Sequence, residues 1–277
     1  MHRSNLTFAG SMRRNGRPLS RHGDLPQVRH LDLELPQLPY GFDGLRIAQV
    51  SDVHAGPYMP TRRMLRIRDL VLALEADLVV FTGDQLDRRP EDGERFAAGF
   101  RGIDAPLGVF GILGNHDHMA GSDLAIEALE EAGITPLVNA SQVLDRDGVR
   151  LALIGVDDVE APPPRLPAFS IIAQHADAFR LCLCHQPRGW SHALAAGAHL
   201  TLAGHTHGGQ IALTGRALNM ARIQSRYIAG PYRREDAFLY VSRGVGVGAV
   251  PVRFGAPAEV DLLTLRSPRA LAADAAA

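Results

Sequence analysis

The chain has 277 residues, 46% of them hydrophobic, and a formal net charge of -1. That is ample for a sizeable core, as one large α/β domain or two small ones, and the near-neutral charge offers no global field for nucleic acid. All 29 basic residues are Arg, which reads first as a GC-rich genome and leaves phosphate contacts to arginine, histidine, backbone or metal.

Residues 1–29 carry six arginines against one acid, Asp24. No apolar core follows Arg3, Arg13 and Arg14, so a secretory signal is not expected. No apolar run in the chain approaches the ~18 residues of a membrane span. The segment reads first as a flexible tail, or as a start codon placed too early. The second reading is a weak anchor for anionic lipid head groups, each arginine worth about 1 kcal/mol. The expected location is the cytoplasm, peripheral to the inner face of the membrane on that second reading.

Leu31, Leu33 and Leu35 alternate with polar residues, as in a half-buried strand. Gly41 and Gly44 mark a turn. Leu45 to Val50 is a strand whose end delivers Asp52 and His54. Thr61 is the expected N-cap of a helix to about Glu75. Leu78 to Phe81 is a strand leading to Asp84, and Val109 to Leu113 one leading to Asn115 and His116. Ser122 is expected to cap a second helix that stops at Gly133. Leu151 to Val156, Leu181 to Cys184 and Leu200 to Ala203 are further strands; His185 and His205 follow the last two. Cys182 and Cys184 sit at i and i+2, on one face of a strand, and read as buried thiols. Pro162 to Pro164 form a loop, residues 208–236 a long irregular excursion, and Leu271 to Ala277 an alanine-rich tail. The expected organisation is a flexible segment over 1–29, one domain over 30–268 and a tail over 269–277.

Five times a strand ends and a polar ligand comes next. Strands alternating with helices predict a layered α/β fold, and in such folds the carboxyl ends of the strands form the ligand crevice. The residues collected there are Asp52-Val53-His54, Gly83-Asp84-Gln85-Leu86-Asp87, Gly114-Asn115-His116-Asp117, His185, and Gly204-His205-Thr206-His207. Oxygen and imidazole ligands in this number suit two adjacent divalent ions, the usual equipment for displacement at phosphorus. A carboxylate can bridge two ions, and Asp84 is the candidate, with Gly83 permitting a tight turn before it.

These motifs resemble the calcineurin-like metallophosphoesterases, whose D-x-H, G-D-x-x-D, G-N-H-D, H and G-H-x-H elements are present in order. The resemblance runs from about Leu45 to the end of the chain. The stretches from Gly204 to Gln210 and from Tyr240 to Gly246 are similar to a bacterial branch that includes small phosphodiesterases and UDP-2,3-diacylglucosamine pyrophosphatases of lipid A synthesis. The resemblance implies a four-layer α/β/β/α sandwich with its metal site at the strand ends. It implies one ion held by Asp52, His54, Asp84 and His207 and another by Asp84, Asn115, His185 and His205, either ion being Mn, Fe or Zn. It implies in-line attack on a phosphodiester or pyrophosphate by a metal-bound hydroxide, with His116 as general acid. Asp117 stands beside His116 in the catalytic motif and, with Asp87, reads as a group that orients ligands or loops.

The chain departs from close relatives at Gln186-Pro187-Arg188, at His118 and at Ala256-Pro257-Ala258-Glu259, all on the substrate side. His118, Arg243 and Arg253 are candidate substrate contacts, weighed against a solvated histidine and surface ion pairs. His175, His192 and His199 read as structural, and Gly244, Gly246 and Gly248 as a tight backbone segment beneath the site. The expected partner is a small phosphoester, with a UDP-diacylglucosamine-like lipid precursor as the leading specific substrate and no nucleic acid. A lipid-linked substrate calls for exposed apolar side chains near the metals, for which Ile211, Leu213, Leu218, Met220 and Ile223 are candidates. The alternatives are a phosphoprotein phosphatase or nuclease on the same site, or a non-catalytic scaffold of the same fold.

Overall fold

The computed structural model describes residues 19–20, 25–146, 148–212, 225–248 and 250–268. The alanine-rich tail, most of the arginine-rich N-terminal segment, and Leu213, Leu218, Met220 and Ile223 lie outside the described residues. In chain order the elements are β1 (Leu19–Ser20), β2 (Gln27–Glu34), β3 (Arg46–Val50), α1 (Thr61–Leu72), β4 (Leu78–Thr82), α2 (Asp92–Phe100), β5 (Val109–Ile112), α3 (Asn115–Ala120) and α4 (Ser122–Ala132). There follow β6 (Thr135–Pro136), β7 (Ala140–Arg146), β8 (Val149–Gly155), α5 (Ser170–Ala173), β9 (Phe179–Leu183), α6 (Trp190–Ala195), β10 (Leu200–Ala203), β11 (Gly230–Arg234), β12 (Ala237–Val241), β13 (Arg253–Phe254) and β14 (Glu259–Arg266).

Two six-stranded sheets carry the fold, ordered β2-β14-β3-β4-β5-β6 and β11-β12-β10-β9-β8-β7, with β1 and β13 as a separate pair. The central strands β3, β4 and β5 run parallel, as do β8, β9, β10 and β12. Strands buried on both faces read as continuous apolar runs, and β4 is one: all of Leu78–Thr82 is buried. The period of two divides its side chains. Leu78 and Val80 face the second sheet, packing with Leu151, Leu153, Leu181, Leu183, Leu200 and Leu202. Val79 and Phe81 face the helices, with Met64, Ile67, Phe96, Phe100 and Leu129. On the outer face of the second sheet Ala152, Ile154, Cys182 and Cys184 pack with Ile172 and Ala193. The layers are therefore helix, sheet, sheet, helix, the expected α/β/β/α sandwich, and both cysteines are free, buried thiols on one face.

Local details differ from the expectation. Thr61 is the first helical residue and Pro60 the cap, with no side-chain cap bond. Ser122 likewise begins α4 rather than capping it, its Oγ 2.8 Å from His118 Nδ1. Gly133 does end α4 in the left-handed conformation, at φ 85°. The excursion over 208–236 contains a strand, β11, and α2, β7, β12 and β14 were not predicted. Among the described residues no helix is long and apolar enough to cross a membrane.

Candidate metal centre

All five motifs meet at one end of the two sheets, just past the carboxyl ends of β3, β4, β5, β9 and β10. Asp52 and His54, expected at the end of a strand, lie just beyond β3. Both have left-handed backbone, φ 53° and 49°, as do Asp84 at 56°, His205 at 71° and His207 at 50°. For a residue with a Cβ this conformation costs on the order of 1–3 kcal/mol and persists where its surroundings impose it. Here the loops brace one another. Asp52 N donates to Gly83 O at 3.0 Å, His54 N to Asp84 O at 2.9 Å, and Gly246 N to Asp52 O at 2.8 Å.

Three groups of potential ligand atoms result, each within 4.8 Å of one another: Asp52, His54 and His207; His54, Asp84 and His116; Asp84, His185 and His205. His54 Nε2 is 3.0 Å from His207 Nε2 and 3.6 Å from Asp84 Oδ2. His185 Nε2 is 3.2 Å from the same Asp84 oxygen, and His207 Nε2 is 3.5 Å from Asp52 Oδ1. Asp84 thus belongs both to the group with His54 and His116 and to the group with His185 and His205, as a bridging carboxylate must.

The residues fit divalent cations on grounds internal to the structure. Among the described residues Asn115 Oδ1 is buried without a hydrogen-bond partner, and a buried acceptor left unmet is costly. Glycine keeps the cradle open: a Cβ on Gly114 would stand 2.6 Å from Asp84 N and 2.8 Å from His185 Nε2, and one on Gly244 2.6 Å from Asp52 Cβ. Gly246 presses as closely on the Asp52 and Val53 carbonyls, which accords with the tight segment expected there. Nitrogen and carboxylate donors together suit Mn, Fe or Zn.

The electrostatics describe how the protein without metal balances these charges. Burial alone would raise the Asp84 pKa, but His185, His54 and His116 hold it well below the usual carboxylate range. Burial opposes charge on His185, yet Asp84 and Asp52 raise it well above an ordinary histidine. His54 is raised by Asp87, Asp84 and Asp52 against its own burial. Asp52 moves the other way, raised by burial and by Asp84. His207 is pushed well down by burial, His54 and Arg253, and His205 to about 4 by burial and His185.

His116 lies at the rim, its Nδ1 2.7 Å from the carbonyl oxygen of Asp87 and its backbone N donating to Asp84 Oδ1 at 2.9 Å. Asp87 also reaches His54, with Oδ1 3.6 Å from Nδ1. Asp117 points away from the ligand groups: its carboxylate accepts from Leu86 N at 2.8 Å and Gly114 N at 2.9 Å, tying the two motif loops together. Burial and nearby Asp84 raise its pKa to about 7.

The three candidate substrate contacts each have partners within the protein. His118 is held between Ser122 Oγ at 2.8 Å and Asp157 Oδ1 at 2.7 Å. Arg243 Nη1 donates to the buried Glu259 at 2.6 Å. Arg253 is only 2% exposed, and its guanidinium faces His207 and backbone carbonyls. Sequence reasoning missed Ser51, whose Oγ donates to Asp52 Oδ2 at 2.6 Å, and Asp157 and Asp158 at the end of β8. The last pair follows a strand end as the other motifs do, a signal that was available. His175 and His199 bond Ser141 and Arg180, as structural histidines would.

Comparison with known proteins agrees with this geometry. The profile of the calcineurin-like phosphoesterases matches residues 45–209. The metallophosphoesterase YkuE of Bacillus subtilis (strain 168) is 32% identical, over 83% of this chain and 82% of that protein. The phosphodiesterase YaeI of Escherichia coli (strain K12) is 29% identical, over 79% and 82%. A Bos taurus transmembrane protein with a metallophosphoesterase domain is 30% identical, and the match spans 87% of this chain but 57% of that longer protein. With its ligand loops braced around one shared aspartate, the chain belongs to the calcineurin-like phosphoesterase family.

Proposed function

We propose that the protein hydrolyses a phosphodiester or pyrophosphate bond at a centre of two divalent cations. The observation that carries this reading is Asp84, which shares one ligand group with His54 and His116 and another with His185 and His205, while His54 also belongs to the group with Asp52 and His207. Asp52, His54, Asp84 and His207 would hold one ion, and Asp84, Asn115, His185 and His205 the other. When bound, such ions polarise the phosphoryl oxygens and activate water at neutral pH.

The chain's own residues supply the rest. His116 gives its Nδ1 proton to the Asp87 carbonyl, since a carbonyl only accepts. Its Nε2 is then the nitrogen that holds or delivers a proton to the leaving oxygen. The ring packs edge-on to His54 with centroids 4.6 Å apart, which fixes its plane beside the ligands. Asp117 and Asp87 hold the loop that carries it.

A diester is favoured by the likeness to YaeI, a protein named a phosphodiesterase. A lipid-linked substrate draws support from the rim. Gln210 binds the Val250 and Val252 carbonyls at 2.6 and 3.2 Å. On the strap so held, Val250 and Val252 are exposed, as is Ile211. Gly248 of the same strap stands beside His207 Nε2.

The test is hydrolysis of bis-p-nitrophenyl phosphate beside p-nitrophenyl phosphate, using metal-stripped protein resupplied with Mn. Metal-dependent cleavage of the diester is expected. Cleavage of the monoester alone would overturn the diester reading, and metal-independent cleavage the whole proposal.

A further inference from the structure

Beside the metal centre the chain turns an arginine inward and two valines outward. Arg253 is 2% exposed, whereas Val250 and Val252, on the same strap, are 46% and 43% exposed. Water alone selects the reverse. Arg253 fastens the strap from within: its Nε donates to Gly246 O at 2.7 Å and its Nη1 to Ala256 O at 3.3 Å. Ile211, 39% exposed, stands with the valines. It bridges to Phe254 and Gly255, and its neighbour Gln210 holds the Val250 and Val252 carbonyls. Exposed apolar residues scattered singly are ordinary, but grouped ones mark an interaction surface. The group also borders the metal centre. Gly248 N donates to Gln210 Oε1 at 2.8 Å, and a Cβ on Gly248 would stand 3.8 Å from His207 Nε2.

A second feature meets the strap. Strand β1 pairs antiparallel with β13, Leu19 opposite Phe254 and Ser20 opposite Arg253. The chain preceding β1, residues 1–18, carries Arg3, Arg13, Arg14 and Arg17 and no Asp or Glu, and Arg21 follows Ser20 directly. A chain spans at most about 3.6 Å per residue, so the backbones of Arg13, Arg14 and Arg17 stay within roughly 22 Å of Leu19 whatever path they take. The pairing thus tethers a block of positive charge to the strap that displays Ile211, Val250 and Val252, in a chain of formal net charge -1.

Together the two features select one partner. A nucleic acid or an acidic peptide would satisfy the arginines and leave the aliphatic side chains in water. An apolar protein face would cover the aliphatic side chains and leave the arginines without counter-charge. A bilayer with anionic head groups takes both, offering phosphate oxygens to the arginines and hydrocarbon to the strap. Either attraction alone is weak, and paired signals are what hold a protein at a membrane surface.

We infer that the strap and the arginines of the N-terminal segment form a docking surface for an anionic lipid bilayer, which sets the metal centre against the head groups. Docking of this kind does not depend on which bond the centre cuts.

The experiment is cosedimentation of the full chain with vesicles of phosphatidylcholine and with vesicles of phosphatidylglycerol. Wild type is compared with Val250→Asp/Val252→Asp, with Ile211→Asp and with Arg13→Gln/Arg14→Gln/Arg17→Gln. Each arginine near an anionic surface is worth a factor of about five. Wild type is expected to bind phosphatidylglycerol at least about tenfold more tightly than phosphatidylcholine, and the arginine variant should lose most of that preference. The valine variant should lose about tenfold or more on phosphatidylglycerol, with the circular dichroism spectrum of wild type, since both side chains already stand in water. Ile211→Asp should repeat part of that loss, and it keeps the apolar half of the surface testable if the valine variant does not fold. Equal binding of wild type to the two lipids, or binding to neither, would overturn the inference. So would an intact preference in the arginine variant. Wild-type affinity for phosphatidylglycerol in the valine and Ile211 variants would overturn it too, because the arginines would then act without the strap.

Discussion

His54 Nε2 and His207 Nε2 stand 3.0 Å apart, although 153 residues separate them in sequence. Two imidazole lone pairs do not face each other at this distance unless a proton or a cation lies with them. Arg253 Nη2 lies 3.0 Å from His207 Nδ1 and a guanidinium only donates, so in the protein without metal the proton between the two rings is carried by His207 Nε2. The metal and that proton compete for the same nitrogens.

Metal binding should therefore strengthen with pH. His54 and His185 both lie above the ordinary histidine value, so they hold their protons more tightly than an ordinary histidine and must release them to ligate. Apparent Mn affinity, measured by calorimetry from about pH 6 to about pH 8.5, is expected to rise across the range, with proton release on binding. An affinity that does not change with pH would count against both histidines as ligands.

Asp84→Ala should abolish metal-dependent cleavage of bis-p-nitrophenyl phosphate, lowering turnover by on the order of 10³ or more. It should also reduce bound metal per chain, because both ligand groups lose the shared oxygen. Metal analysis beside the rate assay checks this. Two ions retained in the variant would show that Asp84 is not the bridge.

His116→Ala should leave the metal content unchanged and lower kcat by about 10²–10⁴. The loss should be smallest for a substrate whose leaving group departs readily without protonation. Equal turnover of wild type and variant on every diester would remove His116 from the reaction.

Gly114→Ala places a Cβ 2.6 Å from Asp84 N and 2.8 Å from His185 Nε2. The expected result is a folded protein that has lost most of its metal affinity, seen as a native circular dichroism spectrum without calorimetric binding. Normal affinity in this variant would show that the cradle is looser than the structure has it.

Stability should fall as pH rises through the range set by Asp261. Burial and neighbouring Glu259 raise its pKa to about 8, far above an ordinary carboxyl, and Tyr240 Oη lies 2.6 Å from Oδ1. A raised carboxyl contributes stability that is fully present below the unfolded pKa and is lost as pH rises through the folded one. The thermal midpoint should decline between about pH 4 and about pH 8, and Asp261→Asn should flatten that slope. An unchanged slope would refute the assignment.

Much of the fold was legible because its strands alternate faces or are apolar throughout. Leu45 to Val50 and Leu200 to Ala203 were readable as strands, and the ligands at their ends as a site. Helix α2 was not, since Gly93 and Gly99 interrupt its pattern, although Phe96, Ala97 and Phe100 share a face. Strand β14 was missed because its meaning is long-range: it lies between β2 and β3, elements from the other end of the chain.

The sequence by itself determined the candidate ligands, because metal chemistry needs particular atoms and the motifs supply them in order at strand ends. It also determined a layered α/β fold, since strands alternate with helices along the chain, while the four-layer order was implied only by the family resemblance. What only the tertiary structure decided is orientation. Asp52 and His54 converge through left-handed backbone held by partners from other loops. Arg253, a candidate for substrate contact or an ion pair, lies behind His207, and Asp117 braces backbone amides. Local residue type says what a side chain can bond; which partner it meets depends on segments brought together by packing, and those contacts leave no periodic trace in the chain.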